Sequence, residues 1–163
     1  MSNLILFGFK GVGKTYFGKL VADALKLPFI DTDDLIEKGF ELSVKEIYEK
    51  VGEEEFRKIE TKVILELIDS SSIIALGGGA PLSSQNIEHL QKIGQFAYLF
   101  ADFPRVEKRV QSASFLTKSL YQTYLDRMKI YEKIPAKKID LTLLDDERIV
   151  EELKRVKGSK YGV

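Results

Sequence analysis

Apolar residues are laid out in two textures along this chain. One is the short continuous run: "LILF" at 4–7, "FI" at 29–30, "SIIAL" at 72–76 and "QFAYLF" at 95–100. Runs of that length suit strands covered on both faces. The other is the spaced pattern of amphipathic helices. Phe17, Leu20, Val21, Ala24 and Leu25 share one face of 14–25, and Phe56, Ile59, Val63, Ile64, Leu67 and Ile68 share one face of 53–69. Pro28 ends the first of these helices and opens the second strand. "DLIEKGF" reads as a helix closed by Gly39, and Ser43 with Glu46 three residues on forms a capping-box pattern. Further helices are predicted over 84–92, from Pro104 through "PRVEKRV", over "LYQTYLDRMKIYEK" and over "DERIVEELKRV", with "IDLTLL" as a last strand. Strands alternating with helices predict an α/β fold, a three-layer sandwich around a mostly parallel five-stranded sheet.

Composition narrows the function classes. At 163 residues, 44% of them hydrophobic, the chain reads as a single domain, 1–163, with a substantial core. Lys+Arg and Asp+Glu stand at 25 each, so no net field draws nucleic acid or an anionic membrane. The absence of cysteine excludes a disulfide framework and a thiolate zinc site. The apolar stretch after Met1 is too short for a signal peptide or a membrane span, and the expected location is the cytoplasm.

In such a fold the chemistry collects at the carboxyl ends of strands. Four motifs stand there: "GFKGVGKT", "DTD", "GGG" and "AD". The first has Gly8, four residues, then Gly13, Lys14 and Thr15, the complete phosphate-binding pattern between a strand and a helix. Its backbone over Gly11, Val12, Gly13, Lys14, Thr15 and Tyr16 is expected to cradle phosphates. Lys14 would reach the β- and γ-phosphates, and the Thr15 hydroxyl would ligate Mg²⁺. The chain lacks the guanine-reading "NKxD" pattern and is short, which points to a small-metabolite kinase.

The acceptor side is open to two readings at each stretch. In "FIDTDDLIE", Asp31 and Asp33 can face Mg²⁺ and an acceptor hydroxyl, or can serve as a helix cap. In "GEEEFRKIE", Arg57 is a substrate ligand or a surface arginine paired with Glu53 or Glu60. In "LGGGAP", the glycines bring backbone N–H groups close to an anion, or make a tight turn ended by Pro81.

Taken in order and spacing, "GFKGVGKT", "FIDTDDLIE", "GEEEFRKIE", "LGGGAP" and the later "RMKIY" resemble the shikimate kinase family over nearly the whole chain. The resemblance implies the P-loop nucleoside monophosphate kinase-like fold. It also implies transfer of the ATP γ-phosphoryl group to the 3-hydroxyl of shikimate, Mg²⁺ as cofactor, and a monomer. By motif, Asp33 would hold the acceptor hydroxyl and Asp31 would sit near Mg²⁺. Arg57 and Arg127 would clamp the shikimate carboxylate with backbone N–H groups of Gly78 and Gly79, and Glu60 would orient Arg57. Arg109 resembles the residue that stacks on adenine.

One segment departs from the family pattern. Family members carry a lid with an arginine that reaches the transferred phosphate. The corresponding stretch near 111–119 is short and has no arginine, Ser114 taking its place and Lys118 the nearest cation. Two other functions compete with the leading one: a kinase for another small hydroxy acid such as gluconate, and a nucleotide-binding regulatory protein with weakened catalysis. His89, the only histidine, is expected to be non-catalytic, and Tyr121, Tyr124 and Tyr131 are expected to pack against the sheet.

Overall fold

The computed structural model describes residues 2–110 and 119–158. Its centre is a five-stranded sheet of β1 (Asn3–Phe7), β2 (Phe29–Asp31), β3 (Ile73–Ala75), β4 (Gly94–Phe100) and β5 (Lys137–Asp140). The order is β2-β3-β1-β4-β5, and every pairing is parallel. Each parallel crossover needs a helix, which explains the alternation in the sequence. The helices are α1 (Lys14–Leu25), α2 (Thr32–Phe40), α3 (Val44–Leu65), α4 (Ser84–Ile93), α5 (Phe103–Arg109), α6 (Leu120–Tyr131) and α7 (Asp146–Gly158), with a 3-10 turn at Ala80–Leu82.

The "LILF" run is the central strand, and all five residues of β1 are buried. That burial requires cover on both faces. Helices α1 and α7 pack on each other and on the sheet, while α4 packs on β4 and α3. The main core joins Leu4–Phe7, Phe17, Val21, Ile73, Ile74, Leu99 and Leu153. A satellite of Ile36, Ile47 and Phe56 fixes α2 against α3. Among the described residues, no helix is long and apolar enough to cross a membrane.

Element boundaries differ from the periodic reading in four places. α2 runs through Gly39 and ends at Phe40, with Glu41 taking the left-handed turn. Ser43 and Glu46 form the expected capping box, but the helix they open is broken at Gly52 (φ 83, ψ 171) before continuing to Leu65. It stops short of Asp69, so Ile68 is 71% exposed rather than part of the apolar face. The last strand is "KKID" rather than "IDLTLL", because Ala97 through Phe100 of β4 pair with Lys137 through Asp140.

Strand order changes direction at β1: the chain first visits β2 and β3 on one side, then β4 and β5 on the other. Ligands of doubly wound sheets bind beyond the strand ends at such a switch. The loop after β1 lies there.

Candidate active site

Residues 8–13 carry the chain from β1 into α1. Gly13 adopts φ 121, a backbone geometry that side chains disfavour. The helix it opens has no side-chain cap, whereas α2 through α6 each have one. The first-turn N–H groups of α1 are therefore left for an anion, reinforced by the helix dipole. The Lys14 ammonium folds over the same loop, donating to the carbonyl oxygens of Gly8 (2.5 Å) and Phe9 (3.2 Å). Burial pushes its pKa down, opposed by Asp33 and Asp31. The Val12 side chain is buried in the core and its N–H donates to the Phe9 carbonyl at 3.2 Å, so neither is turned to a ligand, against the expectation for this position.

Asp31 is the helix cap, one of the two readings the sequence left open, and its second oxygen faces the phosphate loop. Its Oδ1 caps α2, accepting from the backbone N–H groups of Asp33 (2.9 Å) and Asp34 (3.3 Å). Its Oδ2 faces the loop and accepts from the Thr15 hydroxyl at 2.9 Å. Asp33 is turned elsewhere: a Cβ on Gly77 would stand 2.5 Å from its Oδ1. Desolvation raises the Asp33 pKa to about 6, with Asp31 and Glu60 adding to the rise and Lys14 opposing it. A carboxylate poised there, inside a cleft, can accept a proton from a hydroxyl.

The far end of the cleft is cationic. Arg57 of α3 donates from Nη1 to Glu60 Oε1 at 2.8 Å, and Glu60 is 1% exposed. Burial raises the Glu60 pKa, and Arg57 works against that rise. The Nε of Arg57 is buried without a hydrogen-bond partner among the described residues. A Cβ on Gly79 would lie 2.2 Å from Arg57 Nη1, so only glycine leaves room for the guanidinium. Arg127 of α6 approaches the same run, its Nη1 3.4 Å from where a Gly78 Cβ would be. Two guanidinium groups and the Gly78–Gly79 backbone thus converge, a geometry that can hold a carboxylate.

These ends belong to one cavity of about 610 Å³, lined by Lys14, Thr15, Asp31, Asp33, Arg57 and Arg127 among others. A volume of this order accommodates small molecules. Arg109 flanks the loop's outer side, its Nη1 donating to the Val12 carbonyl at 3.4 Å. Tyr16 is half exposed, and its hydroxyl donates to Asp146 Oδ2 at 2.7 Å, tying α1 to α7. Ser114 and Lys118 lie outside the described residues.

The sequence reading gave no role to three cavity-lining residues. Lys10 stands in the phosphate loop, with its pKa lowered by burial against the pull of Asp33. Its signal was a charge among glycines where no fold requirement calls for one. Lys45 also lines the cavity, while Glu37 caps the start of α3 by accepting from the Val44 N–H at 2.8 Å. Of the three tyrosines, Tyr124 and Tyr131 are buried as expected, but Tyr121 is 52% exposed. His89 bonds the Leu67 carbonyl at 2.8 Å, away from the cavity.

The chain is similar to known proteins over most of its length. A model described as shikimate kinase matches residues 10–157. The shikimate kinase of Clostridium botulinum (strain ATCC 19397 / Type A) is 37% identical over 143 residues, covering 82% of this chain and 84% of that protein. That of Staphylococcus aureus (strain JH9) is 36% identical over 159 residues, covering 93% and 91%. The solved shikimate kinase from Acinetobacter baumannii, in complex with shikimate, superposes with a TM-score of 0.86 at 26% identity, covering 99% of this chain and 95% of that one. The chain thus belongs to the shikimate kinase family, whose members are ATP-dependent small-molecule kinases.

Proposed function

We propose that this protein transfers the γ-phosphoryl group of ATP to the 3-hydroxyl of shikimate, the phosphorylation step on the route to chorismate and the aromatic amino acids. The observation that carries the reading is one cavity with a phosphate loop at one end and two guanidinium groups at the other. Between them in electrostatic terms is Asp33, whose pKa answers to Lys14 and Asp31 on one side and to Glu60 on the other.

In this reading the α1 N-terminus and the backbone N–H groups of Gly11 and of Gly13 to Tyr16 hold the phosphates, and Lys14 neutralises the β- and γ-oxygens. Arg57, Arg127 and the N–H groups of Gly78 and Gly79 bind the substrate carboxylate, which orients the ring. Asp33 binds the acceptor hydroxyl and takes its proton as the phosphoryl group is transferred. Arg109 packs on the adenine. The Thr15 hydroxyl and Asp31 Oδ2, hard oxygen donors side by side, fit Mg²⁺. Among the described residues no cluster of three His, Cys, Asp or Glu side chains could hold a metal. Held by Thr15 and Asp31, Mg²⁺ would supply charge neutralisation to the phosphates. The protein acts as a monomer in the cytoplasm.

A coupled assay of ADP release tests the reading. Release that depends on shikimate supports it. Release that depends equally on gluconate would make the protein a broader hydroxy-acid kinase, and ATP binding without release would make it regulatory.

A further inference from the structure

Every backbone carbonyl from Gly77 to Ala80 already accepts a hydrogen bond. The Gly77 oxygen accepts from the Ala80 N–H (3.1 Å), and the Gly79 oxygen from the Leu82 N–H (3.1 Å). The Ala80 oxygen accepts from the Ser83 N–H (3.4 Å) and from Asn86 Nδ2 (2.9 Å). The Gly78 oxygen accepts from the Tyr131 hydroxyl. On the donor side, the Gly77 N–H is bonded to Thr32 Oγ1 at 2.9 Å. Among the described residues, the two N–H groups left over are those of Gly78 and Gly79, beside Arg127 and Arg57.

We infer that Tyr131 and Asn86 are positioning residues: they pin the carbonyls of Gly78 and Ala80 so that the strap offers the substrate carboxylate only N–H groups. The inference rests on the carboxylate reading above. A glycine–glycine peptide has little steric resistance to flipping. Turned over, the Gly78–Gly79 unit would bring a carbonyl dipole to the anion's place and replace attraction with repulsion. The Tyr131 hydroxyl is the bond that holds this peptide plane.

Tyr131 is built for that duty. It is fully buried, and its ring meets Phe7 and Tyr98 edge-on at 5.7 and 5.6 Å. The ring cannot swing away, and phenylalanine would keep the packing while deleting only the hydroxyl. Asn86 is 1% exposed and holds the 3-10 turn from beneath, while its Oδ1 has no partner among the described residues. Neither side chain lines the cavity: Asn86 acts on substrate through the strap, and the Tyr131 hydroxyl through the strap and through Arg127, with which it also hydrogen-bonds.

Steady-state kinetics of Tyr131→Phe and Asn86→Ser provide the test, with shikimate and its methyl ester as substrates. Loss of one such hydrogen bond is expected to raise KM for shikimate about three- to tenfold. KM for ATP and kcat should stay at wild-type values. The ester carries no carboxylate charge, so its KM should not change in Tyr131→Phe. Equal weakening of acid and ester, or an unmoved KM for shikimate, would overturn the inference. If Asn86→Ser fails to fold, Tyr131→Phe decides alone. Arg57→Lys separates the two levels. A normal KM for shikimate in that variant would sink the carboxylate reading and the positioning role with it. A raised KM there beside a normal one in Tyr131→Phe would sink the positioning role only.

Discussion

Replacing Asp33 with asparagine should make the protein more stable and nearly inactive. In the folded protein the Asp33 pKa rises from the ordinary 3.8 to about 6, chiefly through desolvation. Between those values the folded state keeps a proton that the unfolded chain has released, so wild-type stability falls as pH rises through the window. Above it the whole penalty is present. At about 1.4 kcal/mol per unit, the rise amounts to roughly 3 kcal/mol. Asparagine carries no charge and does not meet that penalty. Asp33→Asn should therefore match wild type near pH 4 and exceed it near pH 8 by this amount, a gain in Tm of roughly 6–12 °C for a domain of this size. Turnover should fall by about two to four powers of ten, since the amide cannot take the hydroxyl proton. Thermal denaturation of the ligand-free protein followed by circular dichroism between pH 4 and pH 8, beside kcat, measures both. A variant no more stable than wild type near pH 8 would refute the argument that Asp33 is held at a desolvated site.

Three further outcomes follow from the same geometry and one from the sequence. The acid limb of kcat/KM for shikimate should bend near pH 6, because the free enzyme is active with Asp33 ionised, and should vanish in Asp33→Asn. Lys14→Ala should lower turnover by at least about two powers of ten with the fold intact by circular dichroism, since the ammonium seated over the loop is lost from the β- and γ-oxygens. Gly79→Ala would place a methyl group 2.2 Å from Arg57 Nη1, and should raise KM for shikimate about tenfold or more while leaving KM for ATP unchanged. Arginine at Ser114 should raise turnover several-fold where the 111–118 stretch now has none, as read by initial-rate kinetics at saturating substrates.

The phosphate loop was legible because its pattern is local: a strand, a glycine loop and an uncapped helix lie within a few consecutive residues. The "DTD" stretch was legible only as a pair of alternatives. Asp31 proved to be the cap through one oxygen while its other oxygen faces Thr15, a division invisible to residue spacing. The Arg57–Glu60 pair was foreseeable from helical spacing, but its burial under the glycine strap was not. Tyr131 was read as packing, and its ring does pack. Its hydroxyl finds Gly78 across 53 positions of sequence, a contact that only tertiary folding creates. The shift of β5 into "KKID" has the same tertiary origin, since pairing with β4 overrides the local apolar pattern, and the early end of α3 leaves Ile68 exposed.

Phosphorus NMR of a mixture of the protein, ATP, Mg²⁺ and shikimate tests the central claim most directly. The account predicts a new phosphomonoester signal coupled to the proton on carbon 3 of shikimate, growing in step with ADP. Inorganic phosphate and ADP without that ester, or an ester at another hydroxyl, would contradict it.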